Sequence, residues 1–167
     1  TLETGFYNYL SEYPEYTSDV KYRTFLNEMQ RDRLRRSSQS SYAANNIALN
    51  PNMLATIKRM HDDGANFAAG TDSPFIPYGI AQHFEMIMFV DAGLSEADAI
   101  RAATIKVAEN IGVEDDLGTL EVGKIADMAI TDNNPLEDIR AIRGVKATIR
   151  GGHYYTNFEL TTDRGPR

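Results

Sequence analysis

Apolar positions recur along this chain with two different periods, and the change falls near residue 118. Before it the spacing is helical. From Asp19 to about Arg36, Tyr22, Phe25, Leu26 and Met29 share one face and predict a helix that ends in Arg31, Arg33, Arg35 and Arg36, basic residues suited to a helix C-terminus. Asn50-Pro51 has the form of an N-cap with proline at the first helical position, and Met53, Leu54, Ile57 and Met60 make a stripe that stops before Gly64. Between Ile80 and Val90 the chain is apolar almost all round, with Phe84, Met86, Ile87, Met88, Phe89 and Val90, so a deeply buried helix is expected, closed by Ala92-Gly93. Ser95 followed by Asp98 resembles a capping box, and Ala97, Ile100, Ala103, Val107 and Ile111 predict one continuous helix up to Gly112.

Short alternating or continuous apolar runs predict strands. Ala65 to Ala69 reads as a buried strand that stops at Gly70-Thr71-Asp72-Ser73-Pro74, which would put Asp72 at its C-terminal end. Beyond Gly118, the pieces Thr119 to Val122, Ala126 to Thr131 and Val145 to Ile149 read as strands, and Gly151-Gly152 as a hairpin turn before Tyr154. The tail after Leu160 is expected to be disordered. Phe6, Tyr7, Tyr9, Tyr13 and Tyr16 fit no regular period, and an aromatic loop there either walls a pocket or covers a neighbouring surface.

Composition narrows the chemistry. With 42% hydrophobic and 25% charged residues in 167, the chain has the make-up and length of a globular domain. A formal charge of -7 repels phosphate backbones and anionic lipid, so nucleic acid is not an expected partner. No apolar run approaches the ~20 residues of a membrane-spanning helix, and none is expected. Cysteine is absent, which removes disulfides, thiolate nucleophiles and cysteine-ligated zinc, so any metal must be held by His, Asp or Glu. The three histidines, His61, His83 and His153, form neither an H-x-H pair nor an i, i+4 pair on one helix. The arginine cluster either holds an anion or is a solvated helix face, the second being the commoner use. Asp72 is the remaining candidate. A carboxylate at a strand end beside Pro74 is where an α/β barrel places reactive groups, although a loop Asp also serves as a turn-former.

Four stretches in one order resemble a known family: Gly70-Thr71-Asp72-Ser73-Pro74; the helix from His83 to Gly93; Leu94 to Gly112 through Ala102-Ala103-Thr104; and Gly118-Thr119-Leu120-Glu121-Val122-Gly123-Lys124-Ile125-Ala126-Asp127, followed by Asn134-Pro135-Leu136-Glu137-Asp138-Ile139. Together they resemble the prolidase-like and imidazolonepropionase-like branch of the amidohydrolases across about residues 50 to 155. The resemblance implies an α/β fold made of the last strand and helices of a (β/α)8 barrel over residues 1–112, part of a small β-sandwich domain over 113–160, and a tail over 161–167. It implies that Asp72 ends the eighth barrel strand, contacts a divalent metal, most commonly Zn2+, and acts as general base on the metal's water. His83 is expected to be structural, His61 a surface residue at a helix C-terminus, and His153 exposed.

The family's H-x-H pair, its bridging lysine and the histidines of its fifth and sixth strands have no counterpart here, and are expected upstream of Thr1. Leu2 resembles the end of a P-T-L segment at the seventh strand. The implied activity is hydrolysis of an amide-type carbon–nitrogen bond, in a dipeptide or a cyclic amide and in the class separate from peptidases proper, by a parent protein. Since a catalytic zinc takes three or more protein ligands, this chain is expected to be inactive alone, and its exposed edges and helix faces are expected to drive self-association. The rival expectation is a binding or scaffolding module of the same fold that never carried the metal half.

Overall fold

The computed structural model describes residues 26–38, 51–71 and 79–161. Among the described residues five helices precede a small sheet: α1 (Glu28–Ser38), α2 (Pro51–Asp62), α3 (Ile80–Asp91), α4 (Glu96–Ala102) and α5 (Ile105–Ile111). Strands β1 (Met128–Thr131), β2 (Val145–Arg150) and β3 (His153–Thr156) follow, with a 3-10 turn at Ile139–Arg143 between β1 and β2 and a short α6 (Asn157–Thr161) at the end.

Helix α3 is the centre of the core. Its residues Phe84, Ile87 and Met88 are fully buried, and Ile80, Ala81, Met86 and Phe89 nearly so. Around it pack Leu34 of α1, Ile57 of α2, Ala99 and Ala102 of α4, and Ile139 and Ile142 of the 3-10 turn. The helix stops where expected, with Ala92 as C-cap and Gly93 at φ +101°, a conformation that costs glycine little. Arg140 reaches from the 3-10 turn to Asp91 at 3.2 Å, tying the second half of the chain to the end of α3.

Several expectations are corrected. Helix α1 begins at Glu28 among the described residues and buries Leu34; of the predicted face, Leu26 packs against the core just ahead of the helix, Met29 is 79% exposed, and Tyr22 and Phe25 lie outside the described residues. The long helix from Ser95 to Ile111 is two helices. Ser95 caps α4 as expected, its hydroxyl accepting from the Asp98 amide at 3.1 Å, but the chain breaks at Ala103-Thr104. There the Thr104 hydroxyl donates to the Ile100 carbonyl at 2.7 Å, a local bond that competes with helix continuation. Re-aiming α5 changes which residues are covered: Ala99, Ala102 and Ala108 are buried, and Ile111 is exposed.

Ala65 to Ala69 has no regular structure and pairs with no strand among the described residues. Strand structure needs a neighbour for its amides and carbonyls. Here the Ala69 amide donates instead to the Ala102 carbonyl at 2.8 Å. Thr119 to Val122 is a turn rather than a strand, with Leu120 79% exposed.

The sheet is antiparallel in the order β1-β2-β3. Met128 faces Ile149 and Ile130 faces Ala147, with an irregularity between Ile130 and Thr131. Ala147 faces Thr156 and Arg150 faces His153 across the second pair. Gly151 and Gly152 both have positive φ, +54° and +81°, as a two-residue hairpin turn of this kind requires. The expected tail begins within α6 and then passes outside the described residues.

Candidate functional site

Asp72 lies outside the described residues, as does the tyrosine-rich stretch from Phe6 to Tyr16. The chain leading to Asp72 is described as far as Thr71. Two successive amides of that run are held by two different helices: Ala69 by the Ala102 carbonyl of α4, and Gly70 by the Glu85 carboxylate of α3 at 3.0 Å.

Glu85 is the residue the sequence reading passed over. Only 6% exposed, it is the buried charged side chain among the described residues. Removal from water pushes its carboxyl up to about 7, against the opposing pull of the Gly70 amide, which favours the ionised form. The signal was available in the sequence as one carboxylate inside an otherwise apolar helix, a residue that burial would penalise unless it had a partner.

The histidines do not converge. His83, in the first turn of α3, is half-buried and lines a cavity of about 560 Å3 between α3, α4, α5 and the sheet. Met86, Val107, Ile125, Ile142 and Val145 make that cavity largely apolar. His61 is half-buried rather than a surface residue. Its Nε2 lies 3.6 Å from the Asp98 carboxylate and its Nδ1 3.6 Å from that of Asp62, and its ring stands 6.4 Å from that of Phe67. Packing of α4 beside the end of α2 covers it, a tertiary contact that helical spacing cannot show. His153 is exposed at the start of β3, as expected. Among the described residues no three His, Asp or Glu side chains come together in a way that could hold a metal ion. In α1, Arg35 pairs with Asp32 at 2.8 Å with both side chains exposed, the solvated-face use for that one arginine of the cluster. No described helix is long and apolar enough to cross a membrane.

The glycine-lysine-aspartate stretch proves architectural. Gly118 sits at φ +96° against α5, where a Cβ would come within 2.9 Å of the Ile105 Cα and of the Ala108 Cβ. Lys124 donates to the Glu114 carbonyl at 2.6 Å. Asp127 accepts from the Gly151 amide at 2.6 Å, and the Gly152 amide donates to the Ala126 carbonyl at 3.1 Å, so the hairpin turn is pinned to the approach to β1. Downstream, Asn134 accepts from the Leu136 amide and Asp138 caps the 3-10 turn by accepting from the Arg140 amide. These bonds seat Ile139 in the core.

This frame is shared with known proteins. The sequence profile described as the Amidohydrolase family matches residues 13–154. The chain belongs to the amidohydrolase family. Among its relatives is an imidazolonepropionase from Maricaulis maris (strain MCS10), 35% identical over 101 residues, which are 57% of this chain and 24% of that protein. Another is a 5-methylthioadenosine/S-adenosylhomocysteine deaminase from Teredinibacter turnerae (strain ATCC 39867 / T7901), 40% identical over 83 residues, 44% of this chain and 19% of that protein. A solved Xaa-Pro dipeptidase with methionine bound in its active site superposes with a TM-score of 0.59 at 26% identity, covering 90% of this chain and 34% of that one. The chain therefore matches about a fifth to a quarter of the length of these curated relatives. Family and structural likeness together give a fold of the TIM-barrel type, here an α/β arrangement with a three-stranded sheet.

Proposed function

We propose that this chain is the C-terminal portion of a metal-dependent hydrolase that cleaves an amide-type carbon–nitrogen bond, and that Asp72 is its catalytic carboxylate. The observation that carries the reading is the family match over residues 13–154, which takes in Gly70-Thr71-Asp72 and the helices and turns that follow it in order. A carboxylate at the end of a barrel strand can take a proton from an attacking water and return it to the leaving nitrogen. The imidazolonepropionase and Xaa-Pro dipeptidase likenesses support a cyclic amide or an imide-like dipeptide bond as the substrate class.

The described residues by themselves do not make a metal site. In this reading the cation, zinc by preference, is held mainly by groups that the rest of the protein supplies. Residues 1–112 correspond to the end of the barrel and 113–160 to part of a small β-sandwich domain. The chain in isolation is inactive and self-associates. Its exposed Leu120, Val122, Ile125 and Ile130 support association, and a clean monomer by light scattering at working concentration contradicts it.

The test uses the full-length protein, supplied with Zn2+ and assayed on imidazolonepropionate and on an Xaa-Pro dipeptide. Hydrolysis of one of them should be lost on chelation and restored by zinc. Asp72→Asn should lower kcat by at least about 100-fold without loss of folding. Undiminished turnover by the Asn variant overturns the assignment of Asp72, and a full-length sequence without an upstream H-x-H pair overturns the hydrolase reading.

A further inference from the structure

We propose that His61 is a proton-operated clasp between the end of α2 and the first turn of α4, bridging Asp62 and Asp98 when its ring is charged and releasing one of them when it is neutral. The hydrolase reading gives His61 no part, and the clasp stands or falls independently of it.

The ring lies between two carboxylates. Its Nδ1 is 3.6 Å from Asp62 Oδ1 on its own helix, and its Nε2 is 3.6 Å from Asp98 Oδ2 on α4. These separations are longer than hydrogen bonds, and Nδ1 is buried with no hydrogen-bond partner, so the ring meets both anions through charge. A neutral imidazole carries one N–H and one lone pair. In either tautomer it turns the lone pair toward one of the two carboxylates. Only the imidazolium presents an N–H to both. His61 also stands in the last turn of α2, where the free carbonyls favour a cation.

Both carboxylates are already held in place. Asp98 accepts from the Ser95 hydroxyl at 2.6 Å and from Arg101 at 3.1 Å, and Asp62 accepts from Lys58 at 2.5 Å. The Ser95 hydroxyl keeps the Asp98 carboxyl below the usual carboxylate range, and Lys58 does the same for Asp62. The two therefore stay ionised while an imidazole changes charge, between about pH 5 and 8. Lys58 and Arg101 oppose a further cation at these carboxylates, and all three bridged side chains reach solvent, so the gain is a few-fold rather than large. Closure is favoured at the acid end of that range and lost as pH rises through it.

What the clasp closes is a loop of contacts. The Phe67 ring stands 6.4 Å from that of His61 and 5.9 Å from that of Phe89 in α3, and two residues later the Ala69 amide donates to the Ala102 carbonyl at the end of α4. The run that leaves α2 is thus tied to α4 twice, by His61 at its start and by Ala69 further on. Release of the first tie should loosen α4.

The experiment measures amide hydrogen exchange of α4 in the full-length protein at pH 5.5 and pH 8, comparing the wild type with His61→Gln, which is neutral at both. The α4 sequence is the same in the two proteins, so at each pH their rate ratio reports opening alone. Glu85, whose carboxyl lies at about 7, is present in both and cancels. The excess rate of His61→Gln over the wild type should be about threefold larger at pH 5.5 than at pH 8. Asp98→Asn also disturbs the α4 cap, so it is used as a background: with Asp98→Asn in both proteins, the factor between the two pH values should fall below about 1.5. If a variant does not fold, His61→Asn or Asp98→Ser makes the same change of charge.

A factor below about two with Asp98 intact overturns the clasp and leaves His61 a packing residue. A factor that stays above about 1.5 with Asp98→Asn in both proteins overturns the bridge to α4.

Discussion

The helices around α3 and the segment from Gly118 to Thr156 hold together in different ways. The first is cohesive through burial: Phe84, Ile87 and Met88 are out of contact with solvent, and the helices meet on them from several sides. The second leaves Leu120 and Val122 exposed and is shaped by polar pins, with Lys124 on the Glu114 carbonyl and Asp127 on the Gly151 amide. The lesson is that the motif most recognisable in the sequence, Gly118 to Asp127, is shaped by polar bonds to backbone groups, whereas the run from Ala65 to Thr71 is held at Ala69 and Gly70 by two different helices.

The comparison breaks first at Phe84. Phe84→Ala removes a fully buried ring from the centre of α3 and should cost about 3–5 kcal/mol, read as a lowered midpoint in urea unfolding. A smaller loss would mean that α3 is not the common core. Glu85 gives the next effect, and it depends on pH. Its carboxyl rises from 4.5 when unfolded to about 7 when folded, chiefly through burial. The stability associated with the neutral form is thus complete below pH 4.5 and lost as pH rises through 7. Glu85→Gln should therefore match the wild type near pH 4 and exceed it by roughly 3 kcal/mol above pH 8. A constant difference across that range would show that the group does not titrate between the two states.

Gly118 tests the other region. Gly118→Ala places a Cβ against the backbone of Ile105 in a conformation that suits glycine, and should destabilise by about 2 kcal/mol. Because its neighbours belong to α5, the loss should appear as earlier exchange of α5 and the β1 approach rather than of α3. If both regions open together, the molecule unfolds as a single unit and the contrast between them is only one of packing style.

The sequence by itself determined what depends on neighbours a few residues away. Proline and glycine fixed the ends of α2 and α3, Ser95 and Asp98 capped α4, and two consecutive glycines set the hairpin between β2 and β3. The order of its motifs determined the family, and it was that order, rather than Gly70-Thr71-Asp72 alone, that made Asp72 the candidate carboxylate, a residue outside the described ones. The tertiary structure decided what depends on long-range partners. It split the expected helix at Thr104, left Ala65 to Ala69 without a strand to pair with among the described residues, covered His61 with α4, and turned Leu34 inward where Met29 was expected. It also joined Glu85 to Gly70. Periodicity is a property of one segment, whereas burial and hydrogen-bond satisfaction depend on which segments meet. A buried carboxylate is therefore visible in the sequence as an anomaly, and only the fold shows which amide it answers.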